Sequence, residues 1–224
     1  GLLNHFRGLD GYDILQESSE NDKDNLSLQV RYHSESQTPF DDLLNVSVYQ
    51  NHTKQTDVEY GQIDIDANFG YPLVELRDMW KTAVYEQKTT GFLSNASKEL
   101  NSQHTLGYGL DIEQSTSTRT EEKLYSVEGT PKPGYPQFSD KFPETDVFRT
   151  GLFVNDEITL MDGDLTVTPG ARLDTYKMDP NGATKEDGTA YKKFDESNIS
   201  FNLGALYRIN SDISAFFQYG QGFK

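Results

Sequence analysis

The stretch "DIDANFGYPLVE" carries Asp64, Asp66, Asn68 and Glu75. Counted from Asp64, these stand at the first, third, fifth and twelfth places of a loop. Hard oxygens at alternate places, closed by a distal carboxylate, are the ligand set that Ca²⁺ takes. The sixth place, where the sharp turn calls for glycine, is Phe69. No helical pattern flanks the stretch on both sides, so a plain acidic loop competes with the calcium reading. In that case Ile63 and Ile65 continue a strand into the loop.

Other chemistry is thin. The sequence has no cysteine, which removes disulfides, thiolate metal sites and a thiol nucleophile. It contains no GxSxG, GxGxxG or P-loop spacing. "DPNGATKEDG" (179–188) holds Asn-Gly and Asp-Gly, which favour positive φ and mark a loop tip rather than a phosphate cradle. Glu121 and Glu122 fall in a long polar stretch and are expected to be solvated. These residues suit binding better than catalysis, and no enzyme activity is expected.

The frame that positions them is read from composition and periodicity. The chain has 224 residues and a formal net charge of −16. A phosphate backbone needs a basic stripe, so nucleic acid is not an expected partner. Hydrophobic residues make up 34%, whereas a soluble domain carries ~45–50% apolar residues with glycine counted. Material for a thick core is short. Yet 13 Tyr and 13 Phe are too many for a disordered acidic tail. "GLLNHFRGLD" lacks the features of a signal peptide. No apolar run is long enough for a membrane-spanning helix, which leaves a strand-built membrane protein open.

Alternation with a period of two is the dominant signal. Leu26, Leu28, Val30 and Tyr32 oppose Ser27, Gln29, Arg31 and His33. The same division recurs at 44–49, 105–112, 148–160, 165–174, 199–208 and 213–220. Side chains that alternate in this way predict β-strands with one apolar and one polar face. Only "LVELRDMW" (73–80) has a short helical pattern. Pro169 interrupts a strand pattern and is expected at an edge, a bulge or a strand start. Short connections are placed at 34–42, 95–101, 161–164 and 210–212, and long ones at 59–80, 120–145 and 178–196. The expected fold is all-β, an antiparallel up-and-down meander of about eight strands. Short turns at one end and long loops at the other are the layout of a transmembrane β-barrel. Tyr176, Tyr207 and Tyr219 lie near apolar strand ends, where an interface girdle belongs. The alternative is a secreted β-sandwich adhesion module with an acidic, calcium-binding surface.

The closing stretch "FFQYGQGFK" carries a resemblance. Gln218, Tyr219, Gly220, Gln221, Gly222 and Phe223 match the strand that leads into the "FRAP" box of TonB-dependent outer-membrane receptors for haem and haemoproteins, commonly "YAQYGQGFRAP". Lys224 stands where arginine is usual. "LTVTPGARLDTYKMDP" (165–180) resembles the family's "LTLTPGLRYD" strand, and "FVNDEITL" (153–160) resembles the strand before it. The resemblance covers 146–224 well and 1–120 by strand layout alone. It implies that 1–224 is part of a larger barrel in the outer membrane of a Gram-negative cell, with the plug domain and the C-terminal strands absent and both sheet edges open. Open edges invite self-association. It further implies uptake of haem or haemoprotein iron, with lipid around the barrel and TonB acting through the plug. Haem would be the transported ligand, with no cofactor resident in this segment. The family's haem histidines lie in the plug and in a loop after the box, so none is assigned to His5, His33, His52 or His104. Tyr125, Tyr135 and Phe138, in the stretch 120–145, are the candidate contacts for an external ligand.

Overall fold

The structure is a computed structural model that describes residues 2–9, 11–65, 75–185 and 187–222. Nine strands form one sheet among these residues. They are β1 (Tyr12–Ser34), β2 (Leu43–Ile65), β3 (Glu75–Asn101), β4 (His104–Val127), β5 (Thr130–Pro131), β6 (Gln137–Leu160), β7 (Leu165–Asp179), β8 (Phe194–Arg208) and β9 (Ser214–Gly220). The order is β1-β2-β3-β4-β6-β7-β8-β9, with β5 paired to β4 as a short hairpin arm. Chain order and sheet order coincide, which makes the sheet a meander. The expected all-β fold is therefore present, as one sheet rather than the two packed sheets of a sandwich.

The strands are longer than their alternating cores. β2 runs on through "NHTKQTDVEYGQ" and β4 through "EQSTSTRTEEK", where apolar and polar residues no longer alternate. In the loop expected at 59–80, β2 reaches Ile65 and β3 starts at Glu75, with 66–74 outside the described residues, and the loop expected at 120–145 shrinks to 128–136 around β5. The segment with helical pattern is strand from Glu75 onward, and the turn placed at 95–101 is Ser102–Gln103. Neighbour pairing explains these corrections. A strand whose partner continues keeps its hydrogen bonds by continuing too, whatever its facial pattern.

Residues 1–26, 52–88 and 117–145 form one compact unit, and 27–51, 89–116 and 146–224 a second. The first has a small apolar centre. Leu3, Ile63 and Ile65 are buried there, with Leu2, Phe6, Tyr12, Ile14 and Met79 against them. The N-terminal segment lies on β2 at Gly61, where a Cβ would come within 2.5 Å of the Leu3 side chain. The turn into β5 uses Glu128 (φ 49°) and Gly129 (φ 76°), the left-handed pair of a two-residue hairpin.

In the second unit the register lines up the two faces. Leu152 pairs with Leu173, and Leu173 with Ile199. Val154 pairs with Ala171, and Ala171 with Phe201. Pro169 pairs with Leu203, and Leu203 with Tyr219. These rows form one apolar face whose large side chains are exposed. Pro169 is inside the interior strand β7, not at an edge. Its β8 ladder is continuous, but toward β6 the pairs pass from Asn155–Gly170 to Ile158–Val167, so the missing N–H falls in a gap. Tyr207 and Tyr219 belong to the apolar face, but Tyr176 pairs with Arg149 and Glu196 on the polar one. Phe216, 84% exposed, stands opposite Leu206 on the polar face. Asn181 (φ 51°), Gly182 (φ 74°) and Gly188 (φ 79°) make the tight turns expected of "NG" and "DG".

Candidate functional site

The polar face of the second unit carries an ion-pair ladder. β4 supplies Asp111 and Glu113, β6 supplies Arg149, and β7 supplies Arg172 and Asp174, all at polar-face positions of their strands. Arg172 donates from Nη2 to Asp111 Oδ2 at 2.5 Å and from Nε to Asp174 Oδ1 at 2.7 Å. Tyr49 on β2 donates its hydroxyl to Glu113 Oε2 at 2.7 Å, and Arg149 Nη1 lies 3.7 Å from Glu113 Oε1. Both guanidinium groups also lie over rings, Arg149 over Tyr176 at 5.4 Å and Arg172 over Phe153 at 5.9 Å. Glycines make room for these side chains. A Cβ on Gly109 would meet the Phe153 ring at 2.5 Å, one on Gly107 would meet Asn155 at 2.7 Å, and one on Gly151 would run into the Arg172 guanidinium. A cavity of about 570 Å³ lies along the ladder, lined also by Leu93 and Phe194. Fixed charges of both signs, with aromatic faces between them, suit a polar solute or a polar protein surface.

The histidines are absorbed by strand neighbours. His33 Nδ1 lies 2.7 Å from Asn45 Oδ1, His52 Nε2 lies 2.8 Å from Glu86 Oε1, and His104 Nδ1 lies 2.6 Å from Asp156 Oδ2. The side chain of His5 lies outside the described residues. Of the calcium candidates, Asp64 is in β2 and Glu75 opens β3. Asp66 and Asn68 lie outside the described residues, and no cluster of three or more potential metal ligands occurs among the described ones.

The three proposed contact residues do not share one loop. Tyr125 is in β4 and 8% exposed, Tyr135 is in the connection between β5 and β6, and Phe138 is in β6 and 73% exposed. Tyr125 and Tyr135 are edge to face at 5.5 Å, with Arg77 and Lys132 over the Tyr125 ring at 5.6 and 4.8 Å. Glu121, expected in solvent, is buried and paired with Lys123 at 3.3 Å, whereas Glu122 is exposed. Gln218, Tyr219 and Gly220 are in β9, Gln221 and Gly222 follow it, and Phe223 lies outside the described residues. The ion-pair ladder escaped the sequence because its bonded partners lie far apart in the chain, 61 residues for Arg172 and Asp111 and 64 for Tyr49 and Glu113. The alternation did place Asp111, Arg149, Arg172 and Asp174 on the polar face.

Two connections are pinned by carboxylates. Lys98 Nζ at 2.6 Å and the Glu99 N–H at 2.7 Å both donate to Asp42 and hold its carboxyl below the usual range. In the loop 180–193, the Thr189 hydroxyl and N–H do the same to Asp187.

A single antiparallel meander with an exposed apolar face and a hydrogen-bonded polar face defines a wall of a membrane β-barrel. No helix among the described residues is long and apolar enough to cross a membrane, which says nothing of a barrel. Residues 2–224 match the family model of the TonB dependent receptor-like β-barrel. The chain belongs to this family, whose members are outer-membrane receptors and transporters rather than enzymes. Solved structures that resemble it include the ferric citrate transporter FecA in its unliganded form, at 12% identity, TM-score 0.43, and coverage of 86% of this chain and 34% of that one. Another is BauA, the ferric preacinetobactin receptor of Acinetobacter baumannii, at 12% identity, TM-score 0.44, 89% and 30% coverage. A third is FpvA of P. aeruginosa bound to heterologous pyoverdine, at 11% identity, TM-score 0.40, 86% and 34% coverage. The chain thus spans about a third of the length of these structures. No curated protein matches it.

Proposed function

We propose that this chain is barrel wall of an outer-membrane receptor that takes up an iron-carrying ligand, energised by TonB through a plug domain. Family membership over 2–224 carries this reading. The geometry supports it in two ways. The apolar rows from Leu152 to Ile199 offer lipid a continuous surface. The ladder of Asp111, Glu113, Arg149 and Arg172 gives the opposite face the wet, charged lining that passage of a polar solute needs. The finer proposal is that the ligand is haem or a haemoprotein, and it is supported by the box at Gln218–Phe223 alone. External contact through the exposed Phe138 belongs to the same proposal. The test is growth of cells lacking the gene, under iron limitation, on haem, haemoglobin or ferric chelates as the sole iron source. Loss of growth on haem, restored by the gene in trans, supports the finer reading. Loss on a ferric chelate instead keeps the receptor and replaces its ligand. Normal growth on every source in a strain with no second receptor removes the proposal.

A further inference from the structure

We propose that the first unit holds a binding site for a small aromatic anion, a single ring bearing a carboxylate or a similar oxyanion, in the cavity beside Tyr125. The cavity measures about 240 Å³. A dry cavity of about 150 Å³ already takes a benzene-sized guest, so one substituted ring fits and a large macrocycle does not. Its walls have two characters. Phe6, Trp80, Tyr125 and Tyr135 supply ring faces and edges, with the apolar side chain of Met79 among them. Arg77, Lys123 and Lys132 supply positive charge, and no carboxylate is among the described residues that line the space. On a chain of net charge −16 a cavity wall with even one cation left uncompensated stands out, and positive charge in a concave, low-dielectric place concentrates the opposite ion.

The cations differ in how far they are already committed. Arg77 gives Nε and Nη2 to Glu75 at 2.8 and 2.6 Å, and Lys123 is paired with the buried Glu121. Lys132 has no carboxylate partner among the described residues and rests over the Tyr125 ring. It is exposed, on the β5 hairpin, and its N–H donates to the Tyr125 carbonyl at 2.9 Å. It is therefore the cation placed to take a ligand oxyanion while the aromatic walls take the ring. The inference rests on the proposed function for its role, but its binding chemistry can be measured separately.

The experiment is a titration of the purified receptor in detergent with benzoate, benzyl alcohol and benzylamine. The readout is tryptophan emission, taken as the difference between the receptor and its Trp80→Phe variant, because Trp80 lines the cavity. Benzoate is expected to change the Trp80 signal saturably, with benzyl alcohol at least tenfold weaker and benzylamine without effect. Lys132→Met is expected to weaken benzoate about tenfold, the loss of one charge-assisted contact. Equal binding of acid and alcohol, no saturable change, or unaltered benzoate binding in Lys132→Met overturns the proposal. The comparison of probes on the unaltered receptor stands even if the variant misfolds. Cells that still import their iron source while benzoate fails to bind would remove this site alone. Benzoate binding without any import would remove the receptor reading alone.

Discussion

Arg172 shows how the polar face is held together. Its guanidinium answers two carboxylates, Asp111 and Asp174, and the group is about a third exposed. Pairs of that exposure are worth about 1 kcal/mol or less each. Arg172→Met should lower the stability of the barrel by about 1–2 kcal/mol, because it also leaves two like charges facing each other. Adding Asp111→Asn and Asp174→Asn should restore most of the loss. Thermal unfolding in detergent checks both. Gly109 makes the opposite point. Its lost side chain is the space that Phe153 fills, with the Ser94 carbonyl also against that space. Gly109→Leu should cost about 1–3 kcal/mol as an overpacked site, and Gly109→Leu with Phe153→Ala should recover part of it.

At the scale of elements, the two faces of β8 predict opposite tolerance. Phe201→Arg on the apolar face should cost about 2–4 kcal/mol if the residue sits near the bilayer midplane. Thr168→Arg, on the polar face of the neighbouring β7, should change stability by only about 0.5 kcal/mol. Folded fraction in outer-membrane preparations, read by heat-modifiable mobility, separates them. The connection 35–42 predicts a pH effect. The Asp42 carboxyl is held below its unfolded value by Lys98 and the Glu99 N–H. Its contribution is complete above the unfolded pKa of about 4 and is lost as pH falls through the lower folded value. Asp42→Asn should therefore flatten the acid limb of a stability profile and leave the neutral region parallel to the unaltered protein. Strand positions were legible in the sequence wherever alternation was, as in the rows from Leu152 to Phe201. They were not legible in the continuations of β2 and β4, where no facial pattern exists and pairing with neighbours decides. Tyr125 was misplaced in a loop for that reason, and Tyr176 was grouped with Tyr207 and Tyr219 as a girdle residue by its type, although its position in step with Arg172 and Asp174 sets it on the polar face.

The whole molecule is defined by what its apolar face meets. In the second unit most large apolar residues lie along one face and stay exposed, while polar groups pair with each other on the other. In water that arrangement leaves hydrophobic area uncovered, and in a bilayer it is satisfied. The sequence carried the family through short strand motifs at 153–180 and 218–223, and the family model extends it to 2–224. The charged ladder and the cavity beside Tyr125 were hidden because they join strands far apart in the chain. The most direct test uses the absence of cysteine from this sequence. Nitroxide labels are placed one at a time on cysteines substituted at positions 199 to 205 of β8 in outer-membrane vesicles. Their collision rates with oxygen and with a water-soluble nickel chelate are then compared. Ile199, Phe201 and Leu203 should be oxygen-accessible and shielded from nickel, and Ser200, Asn202 and Gly204 the reverse. Equal nickel access along both series would contradict a lipid-facing wall.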